Sequence, residues 1–305
     1  MSRAFVFPGQ GAQSIGMGKA FADAYPAAKA VFQEVDEALG QDLSGLIWEG
    51  EIDQLTLTEN AQPALMATSM AAMAALNAEG VKVTDASFVA GHSLGEYSAL
   101  CAAGVLSLAD TARLLKIRGK AMQEAVPVGV GAMAALLGLD FAAAQVVANE
   151  AAQGEICQAA NDNDPGQVVV SGHKAAVERA TVYAKEAGAK RAVILPVSAP
   201  FHCALMEPAA KVMAAALSEV EFKAPSVPVV VNVTAEACSD PSELREHLVA
   251  QVTGSVRWRE SVLYMSGQGV TEIWEIGAGK ALSGMIRRID REITCVAIND
   301  PDGIA

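Results

Sequence analysis

FVAGHSLGEYSAL, residues 88 to 100, runs from a short apolar segment through a tight turn into residues that favour helix. Gly91, Ser93 and Gly95 form G-x-S-x-G between that strand and that helix, the setting in which the motif makes a nucleophile elbow. The glycines allow the backbone to turn sharply and leave the Ser93 hydroxyl exposed. The next amide, that of Leu94, falls in the first turn of a helix, where N–H groups lack partners and the dipole favours negative charge. It therefore makes half of an oxyanion hole. A strand that ends in such an elbow predicts an α/β fold.

Outward from the elbow the alternation continues. AFVFPGQGAQ gives a buried strand over Ala4–Phe7 and a Gly-rich loop. NAQPALMATSMAAMAALNAEG predicts a helix from about Pro63 to Ala78, with proline in its first turn and Gly80 past its end. A strand at Ser87–Ala90 precedes helices at Gly95–Ala102 and Leu108 to about Ala125, the latter opened by a capping-box variant of Ser107 and Asp110. Between Pro127 and Pro196 the rhythm changes. Strand 133–137, helix 141–152, strand 156–160, the turn NDNDPG, strand 167–171, helix 174–187 and strand 191–195 give βαββαβ, a ferredoxin-like unit. Residues 127–196 are thus expected to be an inserted subdomain, and 1–126 with 197–305 the catalytic α/β domain. Helix 205–220, strand 229–233, strand 272–276, helix 280–289 and strand 295–298 complete the core.

The chain has 305 residues, 52% of them hydrophobic, enough for one large core with room for a smaller domain. No charged leader with a long apolar run opens it, and no apolar stretch reaches membrane-spanning length, so a soluble, cytoplasmic protein is expected. Five scattered cysteines, with no CxxC pair and no neighbouring histidine at ligand spacing, read as reduced thiols. The net charge of -13 argues against nucleic acid as a partner, since phosphate binding needs clustered Lys and Arg. No metal or bound cofactor is implied.

A serine nucleophile needs a base, and the chain offers four histidines. His92 leaves the elbow in another direction, while His173 and His247 read as surface residues. His202, in VSAPFHCALM, follows a strand where the inserted unit returns to the core, and elimination favours it. None of the 35 Asp and Glu stands out as its acid, which leaves room for a neutral orienting group. Arg118 lies on the apolar stripe of its helix, with Leu114, Leu115, Ala121 and Met122 three and four residues away. A cation there needs an anion, either a structural Asp or Glu or a substrate carboxylate suited to a planar guanidinium. GQGAQS lacks the third glycine of a dinucleotide loop, and GAGKAL lacks the spacing of a phosphate loop.

FVFPGQGAQ, TENAQPAL, GHSLGEYSAL, KIRGKAMQEA, QAANDNDPGQVVVSG, PFHCALM, AQVTGSVRW and EIGAGKAL, in this order, resemble the malonyl-CoA:acyl carrier protein transacylases over nearly the whole chain. The resemblance implies a hydrolase-like α/β core with a ferredoxin-like insertion. It implies Ser93 as the acylated nucleophile, His202 as its base and Gln251 as the group that orients His202. It further implies Gln10 and Leu94 as oxyanion donors, Arg118 as the malonyl clamp, and Gln62 and Asn161 as site-lining residues. Phe201 resembles the Phe-His pairing of malonyl-selective domains; a ring beside the acyl α-carbon disfavours a branch methyl by about 1–3 kcal/mol. GAGKAL departs from the family pattern, which usually has Pro at Ala278. The implied substrates are malonyl-CoA and acyl carrier protein, with no membrane partner. That carrier is acidic, so docking needs local basic residues, for which Lys190, Arg191, Arg287 and Arg288 are candidates. Rival readings are a serine hydrolase or thioesterase of the same fold, a non-catalytic carrier-binding subunit, and an acyltransferase for another extender unit.

Overall fold

The computed structural model describes residues 2–197 and 199–304, so Ser198 of the VSAPFHCALM stretch lies outside them. Its ten strands are β1 (Ser2–Phe7), β2 (Phe88–Gly91), β3 (Gly131–Leu137), β4 (Cys157–Asp164), β5 (Gln167–His173), β6 (Arg191–Ile194), β7 (Val229–Val230), β8 (Ala237–Cys238), β9 (Val270–Ile276) and β10 (Thr294–Ile298). They form two sheets. The larger has the order β10-β9-β1-β2-β7-β8 and is parallel except for β8, which runs antiparallel to β7.

Parallel sheets are covered on both faces, and β1 shows how its sequence meets that demand. Phe5 and Phe7 enter the main core on one side, while Ala4 and Val6 join a second cluster with Trp258, Val262 and Ile273 on the other. All four are fully buried. β1 pairs in register with β2, Phe5 opposite Val89 and Phe7 opposite Gly91, which brings the loop after β1 beside the elbow after β2.

The smaller sheet has the order β4-β5-β3-β6 and is antiparallel throughout. Helices Phe141–Ala152 and Lys174–Glu186 join its strands in the order βαββαβ. The period-two pattern of β3 divides the work. Ala132, Ala134 and Leu136 pack under those helices, whereas Met133 and Ala135 face the other way with Val169, Leu195, Val197 and Phe201.

Three local expectations are corrected. The helix over residues 63–78 starts earlier, at Thr58, and contains Pro63 in its interior. Burial of Thr58, Asn60 and Gln62 outweighs the hydrogen bond that proline removes. The NDNDPG turn begins later than its composition suggests: Asn161, Asp162, Asn163 and Asp164 belong to β4, and all four are buried. Each finds a partner outside its own sheet. Asn161 bridges to Val256, Asp162 pairs with Arg259 at 2.8 Å, Asn163 with His92 at 2.9 Å and Asp164 with Arg288 at 2.8 Å. The strand expected at 229–233 is cut to two residues, because Asn232 leaves the ladder to bind the elbow. Helices Pro26–Leu39 and Trp258–Gly267 are additions the sequence reading did not place.

Among the described residues no helix is long and apolar enough to cross a membrane. The five cysteines are free thiols, and burial pushes Cys101 and Cys157 up to about 12, which keeps them unreactive. Although the sequence shows no histidine at metal-ligand spacing from a cysteine, folding brings Cys238, Glu243 and His247 together, with potential ligand atoms within 4.8 Å of one another.

Candidate active site

The elbow owes its shape to close packing. A Cβ on Gly91 would come within 1.9 Å of the Gly95 carbonyl, and one on Gly95 within 2.2 Å of the Phe7 oxygen. Neither glycine has a positive φ, so both serve close approach, and the strain of the turn falls on Ser93 itself, at φ 54° and ψ -112°. Asn232 holds that conformation. Its side chain accepts from the Ser93 amide at 2.8 Å and donates to the Gly91 carbonyl at 2.7 Å.

The Ser93 hydroxyl lies 2.8 Å from Nε2 of His202, another residue in the left-handed region, at φ 59°. Nδ1 of His202 lies 2.9 Å from the backbone oxygen of Gln251. A carbonyl oxygen only accepts, so Nδ1 carries the proton and Nε2 presents its lone pair to Ser93. Gln251 sits in the last turn of helix Pro241–Thr253, where carbonyls lack helical partners and the dipole is negative. That oxygen orients the ring and favours the imidazolium when it forms, in the position a carboxylate often fills. Burial, reinforced by the Arg118 charge, pushes His202 down to about 3, so the resting ring is neutral.

Arg118 is buried to within 1% of full coverage. Its Nη1 donates to Gln62 Oε1 at 2.8 Å, and its Nη2 to Gln251 Oε1 at 2.9 Å and to Ser93 Oγ at 3.2 Å. Among the described residues no carboxylate forms an ion pair with it, and Glu96 acts on its charge only from a distance. Ser93, Leu94, Gln10, Gln62, Arg118, Asn161, Phe201 and His202 all line one cleft of about 570 Å³ between the two sheets. Met133, Val169, Leu195 and Val197 form its apolar wall. Gly9, whose Cβ would meet the His92 oxygen at 2.7 Å, presses the loop of Gln10 onto the elbow. Gln251 lies behind the cleft, fully buried.

The remaining histidines do other work. His92 bonds Asn163, and burial holds its pKa down. His173 accepts the Ile156 amide at 2.9 Å, and His247 joins the Cys238 trio. Of the basic candidates, Lys190 and Arg191 lead into the cleft-lining segment Leu195–Val197, and Arg287 and Arg288 lie on the helix Ala281–Ile289 that supplies Ala281, Leu282 and Met285 to the cleft. Lys190 packs on Gly138, which bonds Gly166 in the turn beside Asp164 and its partner Arg288. Arg287 is turned toward Cys295. Asn232 and Glu96 were missed by sequence reasoning. For Asn232 a signal existed: a polar residue ending the apolar run VVV at the carboxyl end of a parallel strand, where such sheets place their sites.

Comparison with known proteins identifies the family. The family model described as acyl transferase domain matches residues 4–278. The malonyl CoA-acyl carrier protein transacylase of Escherichia coli (strain K12) is 48% identical over 302 residues, 99% of this chain and 97% of that one. A solved acyl-carrier-protein-S-malonyltransferase from Bartonella henselae is 54% identical with a TM-score of 0.98, covering 100% of this chain and 97% of that one. A solved malonyl-transacylase in complex with a type II PKS acyl-carrier protein is 45% identical with a TM-score of 0.97, covering 100% and 98%. A serine-histidine pair with an unneutralised arginine at its side, on a chain this similar along its whole length, leaves one conclusion: the chain belongs to the acyl transferase domain family, among the malonyl CoA-acyl carrier protein transacylases.

Proposed function

We propose that this chain transfers the malonyl group of malonyl-CoA to the phosphopantetheine thiol of acyl carrier protein through a malonyl ester of Ser93, supplying chain extension in fatty acid synthesis. The observation that carries the reading is the Arg118 guanidinium, held by two amide oxygens and 3.2 Å from the Ser93 hydroxyl in a cleft with one apolar wall. In this reading the parallel sheet is a hydrolase-like core, residues 127–196 are an inserted ferredoxin-like subdomain, and the reaction runs in the cytoplasm without nucleic acid, membrane or cofactor.

Ser93 gives its proton to Nε2 of His202 as Oγ attacks the thioester carbon. The backbone amides of Gln10 and Leu94 receive the oxyanion; one such donor is typically worth about a hundred-fold in rate or more. The tetrahedral intermediate collapses, His202 returns the proton to the CoA sulfur, and the malonyl ester remains. The carrier thiol then gives its proton to His202 and attacks the ester, and Ser93 regains a proton as it leaves. The malonyl carboxylate takes N–H groups of Arg118, including the one now donated to Ser93, which fixes the acyl group for the second attack. Gln62 and Asn161 line its place, and Phe201 crowds its α-carbon. Met133, Val169, Leu195 and Val197 disfavour water.

Lys190, Arg191, Arg287 and Arg288 flank the cleft as the docking surface for the acidic carrier, with Arg287 and Arg288 contributing less because one faces Cys295 and the other pairs with Asp164. One experiment tests both transfer and docking. Intact-mass spectra after mixing with malonyl-CoA are expected to show a malonyl increment that disappears when holo carrier protein is added. Charge reversal at Lys190, Arg191 and Arg287, with Arg288 kept on Asp164, leaves the increment and slows its disappearance at low salt. Absence of any increment from the wild type sinks the transferase reading, and unchanged transfer by the reversed variant sinks the docking surface.

The acidity of His202 gives a pH prediction. A depressed pKa means that the basic form persists far below the ordinary range. The rate constant kcat/KM for Ser93 acylation is therefore expected to change less than about twofold from pH 7.5 to 5.5. A base with the ordinary pKa near 6.5 would lose about tenfold. Stopped-flow release of CoA reads the difference, and a tenfold fall overturns the argument.

A further inference from the structure

Glu96 has no role in the chemistry above, yet it is fully buried three residues after the nucleophile. Its Oε2 accepts from the Asn232 amide at 2.8 Å and from Nε2 of Gln251 at 3.0 Å. Its Oε1 is buried without a partner. Burial raises its pKa to about 7 against the pull of these donors and of Arg118.

The Gln251 side chain stands between this acid and Arg118. An amide has one donor end and one acceptor end, and Arg118 only donates. For Arg118 to be held, the Gln251 oxygen must face it, and the NH₂ must find acceptors on the far side. Three are there: Glu96 Oε2, the Ser93 carbonyl at 3.0 Å and Asn232 Oδ1 at 3.3 Å. The Ser93 carbonyl belongs to the elbow, and Asn232 Oδ1 is shared with the Ser93 amide. Glu96 is the remaining acceptor, and its Oε2 serves both this NH₂ and the Asn232 backbone amide. A carboxylate placed directly on Arg118 would also hold it, at the cost of neutralising the charge a substrate needs. One amide of separation avoids that.

We infer that Glu96 is a positioning residue for acyl-group selectivity: by accepting from Gln251 Nε2 it turns the Gln251 oxygen onto Arg118 and so aims the guanidinium at a carboxylated acyl group. The inference rests on the proposed clamp role of Arg118. Its signature is selective. Loss of the Glu96 acceptor lets the Gln251 amide turn its donors toward Arg118, which displaces the guanidinium, while His202 keeps its bond to the Gln251 backbone oxygen.

The test is the ratio of Ser93 acylation rates from malonyl-CoA and acetyl-CoA, followed by intact mass. Glu96→Leu, which has no acceptor, is expected to lower that ratio about tenfold, the value of one buried hydrogen bond, mainly through the malonyl rate. Glu96→Gln, which can offer its amide oxygen where Oε2 now sits, is expected to recover most of the ratio. If Glu96→Leu fails to fold, Glu96→Met removes the acceptor with an unbranched side chain. A ratio unchanged in the Leu or Met variant overturns the inference, as does an equal loss from both acyl donors, which marks a merely structural role. Wild type and Arg118→Ala are run alongside. If Arg118→Ala keeps the wild-type ratio, the clamp reading fails; if it loses the ratio while the Glu96 variants keep it, this inference fails alone.

Discussion

Ser93→Ala forms no covalent adduct with malonyl-CoA and loses transferase activity by about four orders of magnitude or more, as removal of a nucleophile does where serine and histidine act as a unit. The variant deletes only Oγ, so the strained backbone, the Asn232 bonds and the cleft stay in place. His202 stays neutral with its Nδ1 proton on Gln251. Malonyl-CoA therefore still binds, and an equilibrium titration is expected to give a dissociation constant within about threefold of the wild type. The contrast between lost chemistry and retained binding is the informative result. An adduct that survives in Ser93→Ala would falsify the nucleophile assignment and redirect attention to another cleft residue.

Arg118→Ala separates the transferase from its rivals. Truncating one partner of a buried charge pair typically costs about 2–5 kcal/mol, so acylation by malonyl-CoA is expected to fall from about thirty-fold to several thousand-fold. Acylation by acetyl-CoA, which brings no carboxylate, is expected to change by less than about threefold. Arg118→Lys keeps the charge but loses the planar fork that reaches Gln62 and Gln251 together, and falls between. Equal losses with both donors are the outcome that removes Arg118 from selectivity, and a neutral-ester hydrolase becomes the better description.

The parts of this site that were legible in the sequence are those set by local rules. The elbow is a strand, a turn and a helix within thirteen residues, and its glycines announce close backbone approach. Arg118 could be placed on a buried face because helix periodicity fixes its neighbours, and Leu114, Leu115 and Met122 are indeed buried beside it. His202 followed from scarcity rather than pattern. Gln251 came through family likeness. In the structure it is the Gln251 backbone oxygen that meets Nδ1 of His202, a contact no side-chain reading could show.

What escaped was set by sheet order. Glu96 and Asn232 meet across 136 positions because β2 and β7 are neighbours, and nothing near either residue signals that adjacency. The NDND run shows the same limit from the other side. Asn, Asp, Pro and Gly together are a sound turn signal, since their side chains compete for the backbone when exposed. Here Arg259 and Arg288, on two helices, and His92, in the elbow, supply partners from beside the larger sheet, and the four residues stay extended. Pro63 was similarly read as a helix start, although tertiary packing continues the helix ahead of it.

That buried run of four polar residues also bears on modularity. Asn161, Asp162, Asn163 and Asp164 fasten the small sheet to the body of the large one at four successive points, the first being the Asn161 bridge, in which the Asp162 amide bonds the Val256 oxygen and the Val256 amide bonds the Ala160 oxygen. A chimera that imports a different small sheet to widen the acyl range would inherit a mismatched seam unless Arg259, Arg288 and His92 travel with it. The unit of exchange in this architecture is therefore larger than the inserted segment, and its true boundary runs along the charges on the far side of the cleft.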